Sequence, residues 1–225
     1  MPRAITPAMP NPPSPELAGL IEGYRRFRQA AWTPRRERWE ALREGQQPRV
    51  MVVACSDSRV DPGQVFDVDP GEIFVVRNVA ALVPPFETTP GHHGVSAALE
   101  FAVQFLKVRE IVVMGHGLCG GCQAALTQSM HGEEPGRGGF IADWIQMLDS
   151  AREQVVAAHG AHGRAAERAM EEAGVKVSLA NLRTFPCVAE LEAEGRLRLS
   201  GAFFAISDGV LHLLDEESGT FAPVE

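Results

Sequence analysis

Three short runs of unbroken apolar residues constrain this chain more than any other feature. They are Val50-Met51-Val52-Val53-Ala54, Ile73-Phe74-Val75-Val76 and Ile111-Val112-Val113-Met114. A strand exposed on one face alternates apolar with polar residues. A run apolar at every position reads as a strand covered on both faces. Val95 to Leu106, between the second and third runs, carries helical apolar spacing. Strand, helix and strand in that order predict an α/β fold with a mainly parallel sheet flanked by crossover helices. Gly117 to Gly121 leads into a further helix, Gln123 to Met130. Leu197 to Leu199 and Ala202 to Ile206 read as a later strand. Asp208-Gly209 is a turn signal, and Val210 to Leu214 is expected to return across it as an antiparallel edge strand.

The N-terminal part reads differently. Residues 1–14 hold five prolines and predict a flexible, extended arm. Pro15-Glu16 opens a helical pattern through Leu17, Leu20, Ile21, Tyr24 and Phe27. A second, charged helix is expected from about Pro34 to Glu44, broken by Gly45 to Pro48. Residues 15–225 are expected to form one domain. Its 225-residue parent chain is 45% hydrophobic and 22% charged, enough for a substantial core. The formal net charge of -8 argues against nucleic acid or an anionic membrane as partner. No run of about 18 apolar residues is present to span a bilayer, and no signal-peptide pattern opens the chain. Four cysteines in this length do not make a disulfide scaffold. A reducing, cytoplasmic location is the simplest reading.

Cys55 follows the first apolar run, and His116 and Cys119 follow the third. In open α/β sheets, ligands bind at the carboxyl ends of strands. Two strands ending at one crevice can therefore bring Cys55 near His116-x-x-Cys119. Two thiolates and one imidazole are three ligands for zinc, which takes four and leaves one open for water in catalytic sites. Gly115, Gly117, Gly120 and Gly121 allow close backbone approach around the pair. Cys55-Ser56-Asp57-Ser58-Arg59 adds a carboxylate and a guanidinium. Asp57 can bind the metal as fourth ligand, or pair with Arg59 and accept a hydrogen bond beside it.

These strings match a known family. Ala54-Cys55-Ser56-Asp57-Ser58-Arg59 and Gly115-His116-Gly117-Leu118-Cys119-Gly120-Gly121 resemble the two signatures of the β-class carbonic anhydrases. The segments from Pro70 to Ala80, Ser178 to Leu182 and Leu197 to Gly209 are similar to its intervening and C-terminal parts, so the resemblance covers roughly residues 15 to 215. It implies one zinc per subunit on Cys55, His116 and Cys119, and interconversion of carbon dioxide and bicarbonate. Zinc lowers the pKa of bound water to about 7, giving a hydroxide that attacks carbon dioxide. Asp57 would accept that hydroxide's proton in a hydrogen bond, and Arg59 would hold Asp57 off the metal. The resemblance also implies a homodimer or larger homo-oligomer, with a substrate pocket at the subunit interface. Gln46 would offer an amide donor, Phe74, Val79 and Phe101 apolar walls, and Gly120 a backbone N–H.

Members with a regulatory bicarbonate pocket carry tryptophan three positions before the first ligand cysteine, where this chain has Val52. It also has Phe101 where related enzymes have tyrosine. Both departures point to the plant-like, non-allosteric type, with water rather than Asp57 in the fourth position. Ala81 stands where asparagine is usual. His92 and His93 are candidate proton shuttles, although exposed loop histidines are the commoner case. Two other functions compete. A relative with this site could hydrolyse carbon disulfide or sense bicarbonate without turnover. Cys119-Gly120-Gly121-Cys122 is also a Cys-x-x-Cys motif at a strand-to-helix junction, as in thiol-redox proteins, and Cys122 could replace Cys119 as ligand.

Overall fold

The computed structural model describes residues 12–225, so most of the proline-rich arm lies outside the described residues. The described chain divides into two compact units, one ending at Gly45 and one spanning Gln46–Glu225. In the first unit Ser14 caps α1 (Pro15–Phe27), its hydroxyl accepting from the Leu17 N–H at 3.3 Å, with Pro15 in the first turn. A wide π-helical turn, Arg28–Trp32, leads to α2 (Arg36–Ala41) and a 3₁₀ turn. Phe27 meets Trp39 edge-on at 6.1 Å. The α1 helix buries none of its residues, and Leu20 is 72% exposed.

The second unit opens with β1 (Val50–Cys55) and a short α3 (Pro62–Val65), followed by β2 (Ile73–Asn78). Then come α4 (Gly94–Glu100), continued as a π-helical turn to Leu106, β3 (Glu110–His116) and α5 (Gly120–Thr127). Four helices follow: α6 (Gly139–Ile145), α7 (Asp149–His159), α8 (Arg164–Leu182) and α9 (Pro186–Ala193). Three strands close the chain: β4 (Arg198–Ala205), β5 (Val210–Asp215) and β6 (Thr220–Pro223). The strands form one six-stranded sheet in the order β2-β1-β3-β4-β5-β6. The first four are parallel, and β5 and β6 run antiparallel. The fold is α/β, as the apolar runs predict. The expected return strand is β5, and β6 follows it to take the edge. The second apolar run is the exception to double burial. As β2 it lies at the opposite edge, where Val75 is 37% exposed.

Alternation along β1 and β3 divides the core. Met51, Val53, Ile111 and Val113 face Leu99, Val103, Val175, Leu179 and Val188 from α4, its continuation, α8 and α9. Val52, Ala54 and Met114 face the other way, against Val65, Phe66 and Leu211. Each such side chain fully removed from water contributes about 1.5–3 kcal/mol before entropy is counted. The α8 helix lies close to the sheet because Gly115 leaves room for it. A Cβ there would stand 2.7 Å from Val175 Cγ2.

Beyond β2 the chain makes a strained turn. Ala80 and Ala81 both adopt left-handed backbone, φ 64° and 55°. Asparagine tolerates that region better than alanine, which gives the departure at Ala81 a physical meaning. Neighbours hold the turn in place. The Asn78 side chain bonds both the N–H and the C=O of Leu82 at 2.8 Å. From α8, Ser178 Oγ donates to the Ala81 carbonyl at 3.1 Å and accepts from the Val83 N–H at 3.2 Å. Asn181 donates to the Val83 carbonyl at 2.8 Å. Ser178 is fully buried, so Ser178→Ala strands a donor and an acceptor away from water. That substitution is expected to lower stability by about 1–3 kcal/mol in urea unfolding.

Candidate metal centre

Parallel register sets the first condition of the site. Ala54 of β1 lies beside Met114 of β3, so the two strands end at the same level. The chain leaves β1 through Cys55 and leaves β3 through His116. The turn after β3 carries Leu118 in left-handed backbone, φ 60°, and delivers Cys119 to the N-cap of α5. Cys55 Sγ, Cys119 Sγ and a His116 ring nitrogen lie within 4.8 Å of one another, all buried.

These donors fit a metal such as zinc on their own chemistry. His116 Nδ1 donates to the Gly117 carbonyl at 2.8 Å, which fixes the tautomer and leaves a lone pair on Nε2. His116 Nε2 is buried and makes no hydrogen bond. An unpartnered buried acceptor is costly unless something else fills its lone pair. The thiol forms are favoured along a chain of contacts, although Cys55 itself pulls the Cys119 pKa down. The neighbouring Cys119 and burial push Cys55 up to about 12, and Cys122 beside it does the same for Cys119. Burial opposes a charged His116, yet Cys55, the Gly117 carbonyl and Asp57 outweigh it and raise its pKa.

Asp57 and Arg59 form a two-pronged pair next to the donors. Arg59 Nε donates to Asp57 Oδ1 at 2.9 Å and Arg59 Nη2 to Oδ2 at 2.6 Å, and the Arg59 N–H reaches Oδ1 at 2.9 Å. These bonds hold the Asp57 carboxyl far below the usual carboxylate range. Asp57 Oδ2 stands 4.0 Å from His116 Nε2. Arg59 Nη2 also donates to the Leu118 carbonyl at 3.0 Å, tying the two strand-end loops together. With Arg59 at the surface, the pair matters for position more than for stability.

The structure separates the residues expected at the site. Val79 and Gly120 lie near the donors. Gly121 packs so tightly on Val79 that a Cβ would stand 2.7 Å from its Cγ1, while a Cβ on Gly120 would meet open space. The Trp144 indole donates to the Val79 carbonyl at 2.8 Å. Gln46, by contrast, precedes β1, whose six residues span about 20 Å, so it lies at the opposite end from Cys55. Phe74 sits opposite Met51, four residues back from the Cys55–Asn78 level, or about 13 Å along the strand. Phe101 tilts against Phe74 at 5.9 Å and stacks on exposed Phe105 at 5.6 Å. His93 is occupied elsewhere, with Nε2 on the Thr89 carbonyl at 2.8 Å and Nδ1 3.5 Å from Glu87.

Residues 50–211 match the family model described as carbonic anhydrase. The chain belongs to this family. A carbonic anhydrase of Pseudomonas aeruginosa is 38% identical over 209 residues, which are 91% of this chain and 90% of that one. The solved β-carbonic anhydrase CcaA superposes with a TM-score of 0.85 at 29% identity, covering 93% of this chain and 92% of its own. A structure from a study of two tetrameric β-carbonic anhydrases of Sordaria macrospora gives 0.67 at 26% identity, covering 92% and 95%. The class is therefore β, and the enzyme family is that of the carbonate dehydratases, which are lyases.

Two side chains at this carbonic anhydrase site were not singled out by the sequence reading. Glu171 of α8, 6% exposed, accepts from the Cys119 N–H at 3.1 Å. Burial raises its pKa, while the Cys119 and Leu118 N–H groups pull the other way. A lone glutamate on a helix reads as a surface charge. The available signal was its register, since Glu171 falls in the buried stripe of Gly174, Val175, Ser178 and Leu182. Arg77 of β2 was the other. It donates to the carbonyls of Cys55 at 2.9 Å and Asp57 at 2.6 Å, and to Asp61 Oδ2 at 3.0 Å. Its signal was a charge at the end of an apolar run. Groups that orient a metal ligand typically change affinity 10–100-fold when removed. Glu171→Ala is expected to weaken zinc binding by about that factor in competition with a chromophoric chelator. Cys119→Ser is expected to leave no stoichiometric zinc by elemental analysis.

Proposed function

We propose that the protein catalyses the reversible hydration of carbon dioxide to bicarbonate and a proton, with zinc held by Cys55, His116 and Cys119. The observation that carries this reading is the unpartnered, buried His116 Nε2 facing two thiols, with an ionised carboxylate 4.0 Å away. Zinc, when bound, acidifies a coordinated water to a pKa of about 7 and so supplies a nucleophile at neutral pH.

The chain's own residues direct that chemistry. Asp57, held ionised by Arg59, can only accept hydrogen bonds. It would accept a hydrogen bond from the attacking oxygen and so leave a lone pair of that oxygen aimed at carbon. Arg59 occupies both Asp57 oxygens and is anchored on the Leu118 carbonyl. The carboxylate is thereby kept out of the fourth coordination position, in keeping with the non-allosteric type. Val52 supports the same type, since this buried sheet position, 1% exposed, holds valine where members with a regulatory bicarbonate pocket carry tryptophan. The apolar Val79 side chain and the open backbone at Gly120 line the approach for an apolar substrate.

Gln46, Phe74 and Phe101 lie too far along the strands to reach their own chain's donors. We assign them to the site of a second copy, within a homo-oligomer. The Sordaria macrospora relatives are tetrameric. Among the described residues β2 has no partner on its outer edge, and Val75, Phe101 and Phe105 are exposed beside it. Such an edge invites pairing. The four cysteines are free, in keeping with a reducing cytoplasm, and no described helix is long and apolar enough to cross a membrane.

Stopped-flow carbon dioxide hydration tests the reading. Zinc-loaded protein with no rate above buffer would overturn it. Asp57→Asn is expected to keep its zinc while kcat falls by about 10²–10⁴-fold, because an amide brings N–H donors where the carboxylate only accepts.

A further inference from the structure

Cys122 has no part in the chemistry above, yet it lies against a residue that does. Cys119 is the N-cap of α5 and Cys122 is the third residue of the helix. The extended backbone of Cys119, φ -73° and ψ 116°, lets its side chain fold over the first turn. The Cys122 thiol contacts the Cys119 thiol there. Both are 3% exposed and belong to one buried cluster, where Gly174 of α8 faces the Cys122 sulfur. Residues three apart at a helix start have Cα atoms about 5–6 Å apart, inside the range a disulfide spans. Nothing in the hydration reaction calls for a second thiol at this place.

We propose that Cys119 and Cys122 form a modification site for hydrogen peroxide, closing to a disulfide that releases the metal. The inference rests on Cys119 being a zinc ligand. The Cys119 sulfur attacks one peroxide oxygen. An S–O bond forms, the O–O bond breaks, and the departing hydroxide takes a proton from solvent to become water. The Cys122 sulfur then attacks the Cys119 sulfur. An S–S bond forms, the S–O bond breaks, and hydroxide leaves with the Cys122 proton as a second water. The two sulfurs lose two electrons in all, and one peroxide, with the Cys122 proton and one from solvent, becomes two waters. Cys55 and His116 remain as donors, too few to keep the ion. Peroxide is small and uncharged, so the approach that suits carbon dioxide also admits it. Cys122 makes the damage reversible, because an unresolved sulfenic acid oxidises on to sulfinic acid.

The test treats zinc-loaded protein with hydrogen peroxide. A chromophoric zinc indicator reads metal release, and peptide mass spectrometry reads the sulfurs. Dithiothreitol and zinc are then added back. The wild type is expected to lose zinc as the Cys119–Cys122 peptide loses two hydrogens, and to recover both. Cys122→Ala is expected to bind zinc and hydrate carbon dioxide normally before oxidation. After oxidation Cys119 should carry added oxygen, and at least about tenfold less zinc should be recovered. A wild-type peptide with oxygen on Cys119 and no disulfide overturns the proposal. Full recovery in Cys122→Ala also overturns it, since the disulfide would then join Cys55 to Cys119. Should Cys122→Ala fold poorly, Cys122→Ser gives the same readings with a side chain of similar size. A wild type that never holds zinc fails the functional reading instead. The peptide mass of that chain still reports whether the two thiols couple.

Discussion

Everything at this centre depends on two parallel strands ending side by side. Parallel neighbours cannot be joined by a tight hairpin, so each strand end is followed by a loop into a crossover helix. The β1 loop carries Cys55, Asp57 and Arg59, and the β3 loop carries His116, Leu118 and Cys119. Neither loop holds enough donors for a metal by itself. Register makes them one site, and Arg59 on the Leu118 carbonyl keeps the two loops in step. Arg77 acts from the other side, fastening the carbonyls of Cys55 and Asp57 to β2.

Two carboxylates flank the donors under opposite conditions. Asp57 sits in a guanidinium's grip and stays ionised. Glu171 sits in the protein interior, where charge is costly, and is compensated by backbone N–H groups of the ligand turn. One stands 4.0 Å from the unpartnered His116 Nε2, and the other holds the loop that delivers Cys119. The α8 helix therefore serves both halves of the site, through Glu171 on the ligand turn and Ser178 and Asn181 on the strained turn beyond Val79.

Much of this was legible in the residues. Runs such as Val50 to Ala54 can hardly be anything but buried strands, and cysteine and histidine after them mark strand ends. The helices from Gly139 to Ala193 were harder to read. The α9 helix is apolar on several sides and α7 mixes charge with alanine, so periodicity is weak there. The family resemblance supplied Gln46, Phe74 and Phe101, but sequence adjacency could not say that they stand far from their own chain's donors. That separation follows from strand length and direction, which appear only once the strands are paired.

The two edges of the sheet are not alike. Among the described residues the β2 edge is open, whereas β6 is four residues long and ends in Pro223, which has no N–H to offer a neighbour. Two copies joined edge to edge through β2 would form a twelve-stranded sheet (six from each copy) bounded by β6 on both sides. Such growth would stop after one step, so an exposed strand paired in this way would not template a fibre.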